Sequence, residues 1–333
     1  MSDTKNLAVP SAIRRHRVIL PVYVPRLTGY FKDAPEILSL CLESLRLTAG
    51  DAVAVTVVAN ECVHEVMAML QRQYDRGWID QLIINRSNQG RIDAVVSAAR
   101  GAHESLLTLS DSDVFFKNGW IGAIERLMTT FPECGMASVV PHPGTAWHHT
   151  SATVLGGLIR RELAIGKVVS DEDIDRFGHS IGMPDWVKPE QRARQVIVTR
   201  DGTTACVGCG HFLFTIRRDV LAAIPPEPCG CPLGAGSDEI WYDRPPDIGG
   251  YWRLATPQAF AYHLGNVPEP WMYDELRNLS AAPPGAAATA PLTSARLPIV
   301  SRLPWRARRW LAGGLKRLLF LIAGRSMIAG VEV

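Results

Sequence analysis

Short β-branched runs alternate along this chain with segments whose apolar positions recur every three or four residues. Arg17 to Val24 reads as a strand, followed by Asp33 as a cap and by Ile37, Leu38, Cys41, Leu42 and Leu45 at helical spacing. Val53 to Ala59 is almost entirely apolar and ends at Asn60, after which Val63, Val66, Met67 and Leu70 predict a helix within 62–77. The same alternation predicts a strand over 81–85, a helix over 91–100, a strand over 105–109, a helix over 118–130 and a strand over 136–140. From 141 to 196 the pattern is irregular, with a predicted helix over 154–165, the acidic stretch 171–175, and Pro184, Trp186 and Pro189. Order resumes with a strand over 212–216, a helix over 218–223, the cap-like Ser237-Asp238-Glu239, and short strands near 251–255 and 259–262. Residues 279–295, rich in Ala, Pro, Ser and Thr, read as a linker.

Strands and helices alternating at these lengths predict an α/β fold: a mostly parallel sheet flanked by helices, with ligands at the carboxyl ends of the strands. Asn60, Asn88, Asp111 and Asp113 all fall at or just after such ends. The expected organisation is a flexible segment over 1–16, one large domain over 17–275, a linker over 276–298 and a tail over 299–333. A long irregular insertion such as 141–196 usually carries recognition or lid function.

Composition narrows this picture. With 333 residues, 47% apolar and 20% charged, the chain suits a globular protein, and a net charge of +2 does not call for a nucleic-acid-binding surface. The charge is uneven, since no acid lies between Glu275 and Glu332 while nine basic residues do. The N-terminal stretch lacks the apolar core of a signal peptide, and no apolar run approaches the ~18 residues of a spanning helix, so a cytosolic location is expected. Cys41, Cys62 and Cys134 sit in apolar periodic segments and read as reduced, structural residues; Cys206, Cys209, Cys229 and Cys231 form two close pairs that leave zinc binding open.

The chemistry concentrates at Leu106-Leu107-Thr108-Leu109-Ser110-Asp111-Ser112-Asp113, where an apolar run ends in two aspartates two positions apart. Side chains alternate in an extended backbone, so both carboxylates can point the same way from a strand tip. Such a pair can hold a divalent metal that neutralises nucleotide phosphates, or it can be an ordinary turn and helix cap.

The order of motifs resembles the inverting family-2 glycosyltransferases of the GT-A nucleotide-sugar fold, from about Arg17 to Asn266. Ile19-Leu20-Pro21-Val22-Tyr23 is similar to the strand whose end, here Pro21 and Tyr23, cups the nucleotide base. Val57-Val58-Ala59-Asn60 is similar to the second element, with Asn60 where the family usually has an aspartate against the base or ribose. Asn88-Gln89-Gly90-Arg91 resembles the Asn-x-Gly segment before a helix, where Arg91 would meet the diphosphate. Asp111-Ser112-Asp113 matches the DxD motif, which implies Asp113 as metal ligand and Asp111 on the ribose or the metal. The distal block, Gly208 to Val220, then Gly236-Ser237-Asp238-Glu239, then Tyr262-His263-Leu264-Gly265-Asn266, resembles the glycine-rich strand, the acidic pair and the histidine of the family.

The resemblance implies an enzyme that moves a sugar from a nucleoside-diphosphate sugar to a glycan or lipid-linked acceptor in polysaccharide or glycolipid synthesis. Inversion needs a carboxylate to take the acceptor hydroxyl's proton, and Asp238 is the candidate, with Glu239 as the alternative because Ser237 replaces the usual first acid. Mn²⁺ or Mg²⁺ held by Asp113 and His263, with Asp111, would offset the leaving diphosphate. His148 and His149 read as solvent-facing or acceptor-site residues.

Leu311, Leu315, Leu318 and Ile322 share one stripe of a helix in the tail, with Arg306, Arg309, Lys316 and Arg317 opposite and Trp305 and Trp310 near its start. That pattern suits an anionic leaflet at the inner membrane surface, or a helix docked on the main domain. Two other functions stay open. A sugar-nucleotide nucleotidyltransferase would need a glycine-rich phosphate loop after the first strand, which Pro21-Val22-Tyr23-Val24-Pro25 does not supply. A non-catalytic binding protein of the same fold would be consistent with Asn60 and Ser237.

Overall fold

The computed structural model describes residues 14–230, 236–280 and 292–329. In chain order the elements are β1 (His16–Val24), α1 (Ala34–Ala49), β2 (Val53–Cys62), α2 (His64–Asp75), β3 (Gln81–Asn85), α3 (Arg91–Gly101), β4 (Leu106–Ser110), β5 (Val114–Phe116), α4 (Trp120–Thr130) and β6 (Cys134–Ser138). They continue with α5 (Ser151–Ile159), β7 (Leu163–Gly166), α6 (Asp171–Ser180), α7 (Pro189–Ala193), β8 (Gln195–Arg200), β9 (Thr203–Val207), β10 (Leu213–Arg217), α8 (Arg244–Ile248), β11 (Trp252–Ala255), β12 (Ala261–His263), α9 (Pro270–Ser280), α10 (Pro298–Ser301) and α11 (Trp305–Ala329).

Ten strands form one mixed sheet in the order β3-β2-β1-β4-β10-β6-β11-β9-β8-β7. The pairings run parallel from β3 through β4 and between β6 and β11, and antiparallel elsewhere, so β7, β9 and β10 oppose the other seven strands. Strand alternation builds a core on each face. Val18, Leu20 and Val22 of β1 meet Leu38, Cys41 and Leu45 of α1 in one, while Ile19 joins Ile92 and Val95 of α3 in the other. Burial on both faces explains why β1, β2 and β4 read as nearly continuous apolar runs.

The region 141–196 is ordered and extends the sheet. The helix expected over 154–165 stops at Ile159: Arg161 adopts a left-handed φ of 60°, and the N–H groups of Arg161 and Glu162 bond the carbonyls of Leu158 and Gly157. This is a helix-terminating Schellman arrangement, and it frees Leu163–Gly166 to pair with β8 at the sheet edge. The sequence pattern also missed β5, β8 and β9. Helix α9 runs through Ser280 into the stretch read as linker; residues 281–291, like 1–13 and Cys231, lie outside the described residues.

The tail forms α11, which docks on the domain by neither face of the wheel as a whole: of the four cations set opposite the apolar stripe, Lys316 turns inward while Arg306, Arg309 and Arg317 are exposed, and of the stripe Leu315 is half-buried. Arg308, Ala312 and Lys316 are buried against the domain, where α11 packs on α5. Trp310, Leu311, Leu318, Leu321 and Ile322 are exposed instead, Trp310 by 78%. The small Ala312 lets the helix approach closely, and the inward cations end on oxygen: Lys316 Nζ donates to the Ala146 carbonyl at 2.9 Å and to Thr150 Oγ1, and Arg308 to the Ile248 carbonyl. Among the described residues, no helix is long and apolar enough to cross a membrane.

Candidate functional site

A cavity of about 1220 Å³ opens at the carboxyl ends of β1, β2 and β4. This exceeds the ~300–1,000 Å³ typical of a site for one small ligand and leaves room for two substrates. All the residues implied as donor-binding or catalytic line it: Pro21, Tyr23, Asn60, Asn88, Arg91, Asp111, Asp113, Asp238, Glu239 and His263.

At one end, Tyr23 meets Phe31 edge-on at 5.6 Å beside Pro21. Asn60 is buried next to this wall and uses its amide internally. Its Nδ2 donates to Asn88 Oδ1 at 2.8 Å, and its Oδ1 accepts from the Gln89 N–H at 2.9 Å. Asn60 thus fastens the turn that carries Gly90, rather than presenting a free amide to a base. Gly90 has φ +80°, a conformation that side chains rarely adopt, and it opens α3 with Arg91 in the first turn.

Arg91 organises the centre. Its guanidinium donates to Asp111 Oδ1 at 2.6 Å, to Asp238 Oδ1 at 2.7 Å and to the His211 carbonyl at 2.8 Å. Burial opposes its charge, but the two carboxylates override this and raise its affinity for the proton.

His263 reaches Asp113 through a small second sheet. Antiparallel pairing of β12 with β5 sets His263 opposite Val114, and the Leu264 N–H bonds the Asp113 carbonyl at 2.7 Å. His263 Nε2 lies 3.5 Å from Asp113 Oδ2, while Asp113 Oδ1 and His263 Nδ1 are buried without a partner. Burial pushes the Asp113 carboxyl up to about 6, against the pull of His263. An orphaned carboxylate oxygen beside an imidazole fits a divalent ion completed by phosphate or water oxygens. The third expected ligand, Asp111, is instead directed to Arg91, and among the described residues no cluster of three or more metal-ligating side chains forms.

Asp238 and Glu239 begin a helical segment whose turn Glu239–Asp243 is widened to a π-helix before α8, a distortion often found at functional sites. Ser237 does not cap it; its hydroxyl is buried without a partner. Glu239 is held by His149 Nε2 at 2.9 Å and Arg244 at 2.6 Å, and the Arg244 hydrogen bond keeps its carboxyl below the usual range. His148 is exposed and His149 buried, both on the cavity wall.

Several wall residues escaped the sequence reading. Arg253 is fully buried in β11 and donates to the carbonyls of His148, His149 and Cys209 and to Asp243 Oδ1 at 2.6 Å. A lone arginine in the apolar run Tyr251-Trp252-Arg253-Leu254-Ala255 was the available signal. His211 lies 3.6 Å from Asp243; burial opposes its protonation, but Asp243 holds it above its ordinary value. Phe177, Phe212, Trp186 and His142 form an aromatic wall next to His263, with His142 and Trp186 ring centres 4.0 Å apart. Gly208 lets β9's end meet this side, since a Cβ there would lie 2.2 Å from Thr145 Oγ1. Cys206 packs with Val169 and Ile174 while Cys209 and Cys229 join a different core cluster, so among the described residues, which do not include Cys231, these cysteines form no metal-ligating group.

No family model and no curated protein matches the sequence. Solved structures similar to this chain include a mannosyltransferase from Pyrobaculum calidifontis in complex with GDP-Man and Mn²⁺, at 14% identity and TM-score 0.43 over 80% of this chain and 60% of that one. Residues 1–349 of S. aureus TarS are similar at 13% identity and TM-score 0.40, over 80% of this chain and 64% of that one. The same TarS fragment in complex with UDP-GlcNAc gives 11% identity and TM-score 0.38, over 80% and 66%. The chain thus spans less than two thirds of the length of each.

Proposed function

We propose that this protein is a metal-dependent glycosyltransferase that moves a sugar, with inversion, from a nucleoside-diphosphate sugar to a glycan or lipid-linked acceptor. The observation that carries the reading is the convergence of Arg91, Asp111, Asp113, Asp238 and His263, from four separate segments, on one two-substrate cavity. Pro21 and Tyr23 would bind the base, Asp111 the ribose, and Arg91 the diphosphate. A divalent ion, Mn²⁺ or Mg²⁺, held by Asp113 and His263, would supply Lewis-acid neutralisation of the leaving diphosphate. Asp238 accepts the proton of the acceptor hydroxyl as its oxygen bonds to the anomeric carbon, and the bond from that carbon to the diphosphate oxygen breaks. Glu239, already engaged by His149 and Arg244, serves the acceptor side.

The exposed face of α11 supports peripheral attachment to an anionic membrane on the cytosolic side. Trp310, Leu311, Leu318 and Leu321 face outward among Arg306, Arg309 and Arg317, and the tail carries no acid until Glu332. A lipid-linked acceptor in cell-surface polysaccharide synthesis would suit that placement.

A second reading, binding without transfer, is favoured by the Arg91–Asp238 ion pair, which occupies the proposed base. Thermal unfolding with UDP, GDP and the corresponding nucleotide sugars, with and without Mn²⁺, tests the donor site. Stabilisation of about 2.7 kcal/mol is expected at a hundredfold excess over Kd, and it should vanish in Asp113→Ala. No stabilisation by any of them would overturn both readings; stabilisation without nucleoside diphosphate release from any donor would favour binding alone.

A further inference from the structure

The segment 146–150, which carries His148 and His149 along the cavity wall, is gripped from two sides. From inside, Arg253 donates to the carbonyls of His148 and His149. From outside, Lys316 of α11 donates to the Ala146 carbonyl and Thr150 Oγ1, and the Trp305 indole stacks on the His149 ring at 5.9 Å and 17°. Trp305 is itself fixed, its Nε1 donating to Asp247 Oδ2 at 2.8 Å. Asp247 is fully buried and also accepts from Ser151 Oγ and the Ala152 N–H at the start of α5. His149 is held in a left-handed conformation, φ 47°, which a non-glycine residue keeps only when its surroundings impose it. The ring so placed reaches Glu239 Oε1 at 2.9 Å.

We propose that α11 buttresses the acceptor-side wall of the site from behind, with Trp305 and Lys316 as positioning residues that set the His149–Glu239 pair. This rests on the transferase reading only for what Glu239 does; the positioning itself is a property of this chain's own residues. The helix covers His149, whose ring is kept below its ordinary proton affinity by burial and by the Arg253 charge, against the pull of Glu239 and Asp243. Arg244 faces the same pair through Glu239; on α11, Lys316 anchors the neighbouring backbone and Arg309 lies over the outer face of Trp305.

The test uses the full chain labelled in its histidine rings, with His149 titrated by NMR, and in parallel the release of nucleoside diphosphate from UDP- and GDP-sugars with water as acceptor. Trp305→Ala uncovers the ring, so the His149 midpoint is expected to rise by about half a pH unit or more. Turnover should fall about tenfold at unchanged donor KM. Trp305→Phe, which keeps the stack and loses only the bond to Asp247, should lie closer to the wild type in both. If Trp305→Ala does not fold, Lys316→Met provides the same two readouts. An unmoved His149 midpoint in a folded variant overturns the proposal, and so does a shifted midpoint with unchanged turnover. Absence of any nucleoside diphosphate release from the wild type defeats the transferase reading alone, and the His149 midpoint then decides the positioning claim.

Discussion

Arg91 and Asp238 stand 147 positions apart in the chain and meet at 2.7 Å in the cavity. The same guanidinium holds Asp111, so one residue couples the donor motif to the candidate base. Both carboxylates are mostly shielded from water, and neither has another basic side chain at ion-pair distance among the described residues.

Arg91→Ala is therefore expected to destabilise the fold by about 3 kcal/mol, because it leaves two partly buried carboxylates unpaired. Arg91→Lys keeps a charge without the fork and should recover stability better than nucleotide affinity. Urea unfolding and nucleoside diphosphate titration of both variants measure the two effects.

Asp238→Asn is expected to lower the rate of sugar transfer about a hundredfold or more while leaving the nucleotide-induced thermal shift in place. Glu239→Gln should cost about tenfold, since its carboxylate is already committed to Arg244 and His149. The reverse order would assign the base to Glu239; steady-state rates of the two variants decide it.

Acid should destabilise the protein through His16 before its exposed carboxylates titrate fully. His16 is buried at the start of β1, bonded to Thr108 Oγ1 at 2.5 Å, and desolvation lowers its ring to about 3 from 6.5. The unfolded chain then binds a proton that the fold rejects, so stability falls as pH drops from about 6.5 to 3, by on the order of several kcal/mol. His142, also lowered to about 3 by burial, adds to the same trend. Chemical denaturation at stepped pH should show a flatter dependence in His16→Gln.

The outer face of α11 is expected to bind vesicles containing phosphatidylglycerol and to release them at high salt, as screened cations do. Leu318→Glu should weaken co-sedimentation about tenfold, because a leucine inserted in an interface contributes about 1.5 kcal/mol or more. Trp305→Phe, on the docked side, should leave vesicle binding unchanged. Equal binding by wild type and Leu318→Glu would remove the membrane role.

The sequence by itself determined the parallel half of the fold. Apolar runs bounded by Asn60 and Ser110 fixed β2 and β4, because strands buried on both faces admit little else, the short run before Asn85 marked the edge strand β3, and Gly90 with Arg91 marked the start of α3. The order of motifs also picked out Asp111, Asp113, Asp238 and His263, which line the cavity, although Arg253, His211 and the aromatic wall were not among the residues it named. Tertiary structure decided the rest. Pairing of β12 with β5 put His263 beside Asp113, and the three-residue β5 is too short to give a periodic signal. Arg91 chose Asp111 and Asp238 as partners, and Arg253 gathered the carbonyls of 148 and 149, through contacts between segments far apart in sequence. The tail is the clearest case. A helical wheel groups Lys316 with Arg306, Arg309 and Arg317, yet α11 buries Lys316 together with Arg308 and leaves the other three exposed, because the surface it meets combines apolar contacts for Ala312, Leu315 and Phe320 with carbonyl oxygens that accept from the two cations.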